Sequence, residues 1–337
     1  MRRLALVGLV AVLALSGCSI AGTDEPTASA STTSTSTPTP TATAATALSC
    51  DAVLPVSRAS AALGVAAADL TGGREENTLY TADLVRETAS TNGGMIDCGW
   101  YEDEGPASIR VRIAQDAEAI FAATEPDVDD GRGLLAPVAI GDVGYARCAD
   151  GEGDACRAEI LTGDTWLSIT RSSRPADDAE FTALVTAITA DAQGRLEPAT
   201  LDTAPDCATV LTDAQLSELA GLTTPLLGSV EETGTRGTIA SATRERAGYL
   251  SCSWTSGDGS VWVSAAPHAA DAWASMALSS NLFVALEPLD DVGNRAMAGC
   301  GAARCEVEAL QDDTWWRIEV AGDATQAAAV ARAVLAG

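Results

Sequence analysis

Eight of the nine cysteines fall into two sets of four with nearly the same internal spacing, which ties the chain to a duplicated domain. Cys50, Cys98, Cys148 and Cys156 are followed by Cys207, Cys252, Cys300 and Cys305. Their successive steps are 48, 50 and 8 residues in the first set and 45, 48 and 5 in the second. Three short motifs repeat in the same order. Cys98-Gly99-Trp100 answers Cys252-Ser253-Trp254, Gly141-Asp142-Val143-Gly144 answers Asp290-Asp291-Val292-Gly293, and Asp164-Thr165-Trp166 answers Asp313-Thr314-Trp315. Ordered self-similarity of this kind is the mark of an internal repeat. The expected copies span 49–195 and 205–337, with a leader over 1–17 and a tract over 18–48 before them.

Each copy reads the same way. A short helix follows the first cysteine and stops at Gly64 or Gly221, since glycine suits the left-handed position past a helix end. Thr212 through Gln215 form a capping box at the start of that helix in the second copy. Alternation at Ile109, Val111 and Ile113, and at Val261, Val263 and Ala265, marks half-buried strands paired with the Cys-x-Trp strand. Asp116 or Asp271 is expected to cap a second helix. A second hairpin carries the last cysteine pair, and an amphipathic helix with Phe181, Leu184, Val185 and Ile188 on one face closes the first copy. Ala327, Val330, Ala331 and Val334 do the same in the second. The polar segments 65–95 and 222–250 receive no assignment. The fold class is α+β: two tandem disulfide-stapled antiparallel sheets covered by helices.

The N-terminus has the form of a secretory leader. Arg2 and Arg3 precede an apolar run from Leu4 to Leu13, too short to span a bilayer, and Leu15-Ser16-Gly17-Cys18 matches the bacterial lipobox. Cys18 is therefore expected to carry a thioether-linked lipid that anchors the chain to the outer face of the cell membrane. Each buried methylene of such a lipid contributes about 0.8 kcal/mol. The Ser/Thr/Ala/Pro tract that follows has little to bury and reads as a disordered stalk, reaching roughly 30 Å as a coil.

An exported chain meets an oxidising space, so the eight remaining cysteines read as four bridges within copies: Cys50–Cys98, Cys148–Cys156, Cys207–Cys252 and Cys300–Cys305. Zinc is the rival, but its thiolate pairs are usually closer in sequence, and the one histidine, His268, stands far from any cysteine. His268 follows Pro267 and is expected in a solvent-facing turn. Neither a nucleophile elbow nor an S-x-x-K pair is present, and there is no lysine for a Schiff base. Paired carboxylates keep an acid–base hydrolase open as an alternative. Asp127-Val128-Asp129-Asp130-Gly131 resembles the start of a calcium loop without its closing glutamate, so neither a metal nor a cofactor is expected.

The tryptophans carry the remaining information. Trp100 and Trp254 share a strand face with a bridged cysteine and should pack on it. Alternation puts Trp166 and Trp315 on the sheet face opposite Leu167 and Ile169 or Trp316 and Ile318. Packing under the cysteine hairpin is the expectation there. Trp166, Trp315 and Trp262 are otherwise the candidate ligand or partner face.

Together, the lipobox at Leu15–Cys18, the stalk, the two Cys-x-Trp strands and the Gly141–Gly144 turn resemble a family of actinobacterial cell-envelope lipoproteins with a domain of unknown function. Asp290 departs from the glycine of that turn in the second copy. The resemblance implies an envelope location and assigns no catalytic residue.

The charge balance bears on partners. Against 47 Asp and Glu stand 20 Arg, for a net charge of −27, which argues against nucleic acid. The reading of the whole is a membrane-anchored, non-enzymatic binding or sensor-like module for an envelope protein or a small ligand.

Overall fold

A computed structural model describes residues 47–72, 79–124, 135–148, 155–172, 177–192, 194–228, 237–257 and 259–336. The leader, Cys18, nearly all of the stalk and the Asp127–Gly131 loop lie outside the described residues.

The first repeat runs α1 (Cys50–Val53), α2 (Val56–Leu63), β1 (Leu70–Gly72), α3 (Thr81–Asn92), β2 (Met95–Glu102), β3 (Ser108–Ala114), α4 (Glu118–Thr124), β4 (Ala136–Pro137), β5 (Val143–Cys148), β6 (Ala155–Thr162), β7 (Thr165–Ser172) and α5 (Asp178–Asp191). The second runs α6 (Cys207–Val210), α7 (Asp213–Ala220), β8 (Leu226–Gly228), α8 (Ile239–Arg246), β9 (Leu250–Ser256), β10 (Gly259–Ala266), α9 (Ala270–Ala277), β11 (Glu287–Pro288), β12 (Arg295–Cys300), β13 (Cys305–Gln311), β14 (Thr314–Val320) and α10 (Ala324–Leu335). Element by element the two orders agree. Each repeat builds one seven-stranded antiparallel sheet, β1-β2-β3-β7-β6-β5-β4 and β8-β9-β10-β14-β13-β12-β11. The α+β fold in two tandem copies is thus the observed one.

Local sequence explains the ends of the elements. Gly64 and Gly221 end α2 and α7 in the left-handed conformation, at φ 66° and 71°. Thr212 and Gln215 close a capping box on α7. Asp116 and Asp271 do not cap helices. Asp116 and its counterpart His268 take left-handed backbone at the turn leaving β3 or β10, with φ 50° and 56°. The following helix starts from a backbone anchor instead: Ala117 N–H donates to Asp164 C=O, and Ala269 N–H to Asp313 C=O, each at 2.8 Å. Asp271 sits inside the first turn of α9.

All eight cysteines of the repeats form bridges inside one copy: Cys50–Cys98, Cys148–Cys156, Cys207–Cys252 and Cys300–Cys305. That leaves none of these thiolates for zinc. One face of each sheet packs on its own repeat's helices. Ile109, Val111, Ile113, Leu167 and Ile169 meet Phe181, Val185 and Ile188 of α5. Val261, Val263, Val307 and Ile318 meet Val330, Ala331 and Val334 of α10. Trp100 belongs to the first core beside Cys50 and Cys98, its indole donating to Leu54 C=O at 2.9 Å.

The opposite faces are where the repeats join, within one compact unit from Ala45 to Gly337. Helix α3 leaves its own repeat and lies on β10 and β14 of the second sheet, while α8 lies on β3 and β7 of the first. The two helices also pack on each other. The segments that had no assignment in the sequence therefore hold the helices that cross between repeats. Their last residues play matching parts. Asn92 Nδ2 donates to the carbonyls of Pro267 and His268 at 2.7 and 3.1 Å. Arg246 Nη1 donates to those of Gln115 and Asp116 at 2.9 and 3.0 Å. Each residue thus closes the same turn of the other copy.

Candidate functional site

Two kinds of polar site lie on the facing sides of the sheets. The first is a matched pair of buried carboxylates. Glu159 on β6 and Glu308 on β13 each stand three residues after a cysteine and seven before a tryptophan. Trp166 Nε1 donates to Glu159 at 2.7 Å, and Trp315 Nε1 to Glu308 at 2.6 Å. Trp166 and Trp315 are 0% and 1% exposed. Their covers are the crossing helices rather than the cysteine hairpins. Ile239, Ala240 and Ala242 of α8 pack with Trp166, and Val85 and Ala89 of α3 pack with Trp315. Phe121 adds an edge-on contact to Trp166 at 5.2 Å. These indoles are spent on joining the repeats and offer no face to a ligand.

The neighbours of the two carboxylates differ. Glu159 also accepts from Ser168 at 2.8 Å and Arg157 at 3.0 Å. Burial raises its pKa, with Arg157, Trp166 and Ser168 opposing. In the second repeat, Arg317 sits among Glu306, Glu308 and Glu319, and its Nε donates to Thr81 of α3 at 3.0 Å. Thr81 in turn donates to Glu306 at 3.1 Å. Burial pushes Glu308 up to about 8, against the pull of Arg317 and with the repulsion of Glu306 added. Arg317 is shifted up despite its own burial, because three carboxylates surround it.

The second site is a groove of about 540 Å³ on the same face of the first sheet, beyond the ground covered by α8. Its floor is Asp97, Gly99 and Tyr101 of β2 with Arg110 of β3, one wall is Glu87 and Thr91 of α3, and the other is the strap 195–197 joined to Ala47 and Leu48. Asp97 accepts from Arg110 at 2.7 and 2.5 Å and from Arg112 at 3.0 Å. Burial alone would raise this carboxyl, but the two guanidinium groups outweigh it and hold it below the usual range. Gly99 leaves room for the Tyr101 ring, whose hydroxyl lies 3.0 Å from where a Cβ would stand. The strap is fixed through its backbone. Leu48 N–H donates to Arg195 C=O at 2.8 Å, Gln115 Nε2 to Gly194 C=O at 2.7 Å, and Leu196 N–H to Gln115 Oε1 at 2.8 Å.

At the matching positions of the second repeat the described residues are different. Counted from the shared cysteine, Ser251, Ser253 and Thr255 replace Asp97, Gly99 and Tyr101, and Ser241 replaces Glu87. Register pairs Gly99 with Arg110 and Ser253 with Trp262, so Trp262 stands where Arg110 does. Arg304 lies over the Trp262 ring, 3.9 Å from its centroid. The place is filled. Trp273, also confined to the second repeat, is buried beneath Arg295. His268 is exposed and bonded to Asp313 through Nδ1 at 2.8 Å, in the turn the sequence suggested.

No family model and no curated protein matches this chain. Among solved structures it aligns with the crystal structure of the di-domain ARO/CYC StfQ from the steffimycin biosynthetic pathway at 12% identity. That alignment covers 75% of this chain and 83% of the other, with a TM-score of 0.12, too low to bear on fold or function.

Proposed function

We propose that this protein is a lipid-anchored binding module of the bacterial cell envelope, holding a small ligand in the groove of its first repeat. The observation that carries the reading is the asymmetry of the duplication. One scaffold is used twice: among the described residues, Arg110 lines a groove in the first copy, while the second sets Trp262 beneath Arg304 at the same position. Cys18 would fix the chain to the membrane, the tract after it would act as a stalk, and four bridges suit an oxidising space.

A carboxylate-dependent hydrolase is the second reading, favoured by Glu87, Asp97 and Glu197 lining one groove. Against it, Asp97 is held ionised by two arginines and is a poor proton donor, while Glu159 and Glu308, the carboxyls shifted up, lie under the crossing helices. Membrane fractionation tests the anchor: Cys18→Ala should release the protein or leave it uncleaved, and a mature, membrane-bound variant would refute lipidation. Affinity capture from the envelope, followed by extraction of small molecules from the washed protein, tests the binding reading. Ligand turnover by the purified chain would favour the hydrolase instead.

A further inference from the structure

Resting on the groove as the binding site, the charges and spacing of its strap define the ligand more closely. Arg195 and Glu197 both line the groove, and neither side chain makes a hydrogen bond or ion pair with a described residue. Leu196 between them packs on the first core, and the backbone on either side is held by Leu48 and Gln115. The two charges are therefore carried on a fixed support but left uncommitted. The other charges of the groove are already matched: Asp97 is paired with Arg110 and Arg112, and Glu87 lies 3.9 Å from Arg110.

Among the described residues lining the groove, one cation and one anion remain without a partner, two residues apart and so at most about 7 Å along the chain. Beside them lie Met95 and Ile96 and the Tyr101 ring. A ligand of one sign would satisfy one of the two strap groups and bring its own charge against the other. A zwitterion satisfies both. An extended peptide advances about 3.3 to 3.6 Å per residue, so two or three residues place an ammonium and a carboxylate at a matching separation. The groove volume also lies within the usual range for small-ligand sites, about 300 to 1,000 Å³.

We propose that the groove binds short peptides of two or three residues with both termini free, the carboxylate on Arg195 and the ammonium on Glu197, with an apolar side chain against Met95 and Ile96.

The test is calorimetric titration of the full-length protein in detergent with alanyl-leucyl-alanine, its N-acetylated form and its C-amidated form. Saturable binding of the free tripeptide is expected, weakened at least tenfold by either block. Arg195→Ala and Glu197→Ala should each weaken it to the same degree while leaving the melting temperature unchanged, since neither side chain has a partner among the described residues. No saturable binding would overturn the proposal, and so would equal affinity for free and blocked forms. Loss on amidation without loss on acetylation would make this an anion site and would overturn it too. Small molecules extracted from the washed protein that are not peptides, together with no tripeptide binding, would overturn this inference and leave the binding reading standing.

Discussion

The indole of Trp315 donates to the buried carboxylate of Glu308 across 2.6 Å, beneath a helix contributed by the other repeat. Trp166 and Glu159 repeat the arrangement at 2.7 Å beneath α8. Each tryptophan thus couples two roles: it satisfies a carboxylate in its own sheet and forms the bed for the neighbouring copy's helix. The polar half of the contact fixes the ring, and the apolar half receives the helix.

Truncating either ring should therefore cost about 3 to 5 kcal/mol, as for other large buried aromatics. Trp315→Ala also leaves Glu308 without its indole donor. Urea unfolding measures the loss. A variant within 1 kcal/mol of the native protein would show that these rings do not hold the repeats together, where about 1 kcal/mol is the scale of an ordinary substitution.

Gly93, just past α3, lies tight against α8 of the second repeat. A Cβ there would run into the carbonyl oxygen of Thr243, a backbone atom of α8. Gly93→Ala must push the crossing helices apart, and a loss of at least about 1 to 3 kcal/mol is expected from overpacking. Hydrogen exchange should show the loss as faster opening of both α3 and α8. Faster exchange in α3 alone would mean that the two helices are not coupled.

The duplication, the bridges and most strands were legible because cysteine spacing and two-residue alternation are local signals. The crossing helices were not. In α8 the first five residues, Ile239, Ala240, Ser241, Ala242 and Thr243, are all buried, and the exposed and half-exposed Arg244, Glu245 and Arg246 all fall at its end, so no apolar and polar faces alternate along it to set a period. In α3 the buried residues are Thr81, Val85, Ala89 and Ser90, too small and too polar to stand out as an apolar stripe. Small side chains are what close helix contact requires, and they are also what makes such a segment read as a loop. Glu159 and Glu308 did leave a signal, a glutamate at the same offset from cysteine and tryptophan in both copies. The groove left none, since Asp97 and Arg110 read as an ordinary solvated strand face until the strap 195–197 is laid beside them.

The four bridges should contribute unequally. Cys50–Cys98 and Cys207–Cys252 close loops of 48 and 45 residues, while Cys148–Cys156 and Cys300–Cys305 close 8 and 5. Loop-closure entropy assigns about 4 kcal/mol to each long bridge and about 2 to each short one. Replacing both cysteines of one pair at a time by alanine, with stability read from denaturant midpoints, checks the order. A short-loop pair that matched a long one would show that native-state packing, not the unfolded chain, sets the effect.

The charge cluster around Arg317 gives the stability of the protein a pH dependence of definite sign. Glu308 is shifted from an ordinary value of 4.5 to about 8 in the folded chain. Between those values the folded protein holds a proton that the unfolded chain has lost. Stability from this group is thus fully present below pH 4.5, falls as pH rises, and is exhausted once pH passes about 8. The slope for one independent group is about 1.4 kcal/mol per pH unit, an upper bound here because Glu308 lies within a cluster of interacting charges. Glu308→Gln keeps an oxygen for the Trp315 indole but cannot ionise. At pH 4.5 the variant should match the native protein within about 1 kcal/mol, the scale of one altered hydrogen bond. At pH 8.5 it should be the more stable of the two, by up to a few kcal/mol. Comparing urea midpoints of both proteins at the two pH values isolates this residue from Glu159, which is shifted the same way, and from Asp97, which is shifted the other way. A stability difference that stays the same at both pH values would mean that Glu308 is ionised throughout, with Arg317 compensating it fully.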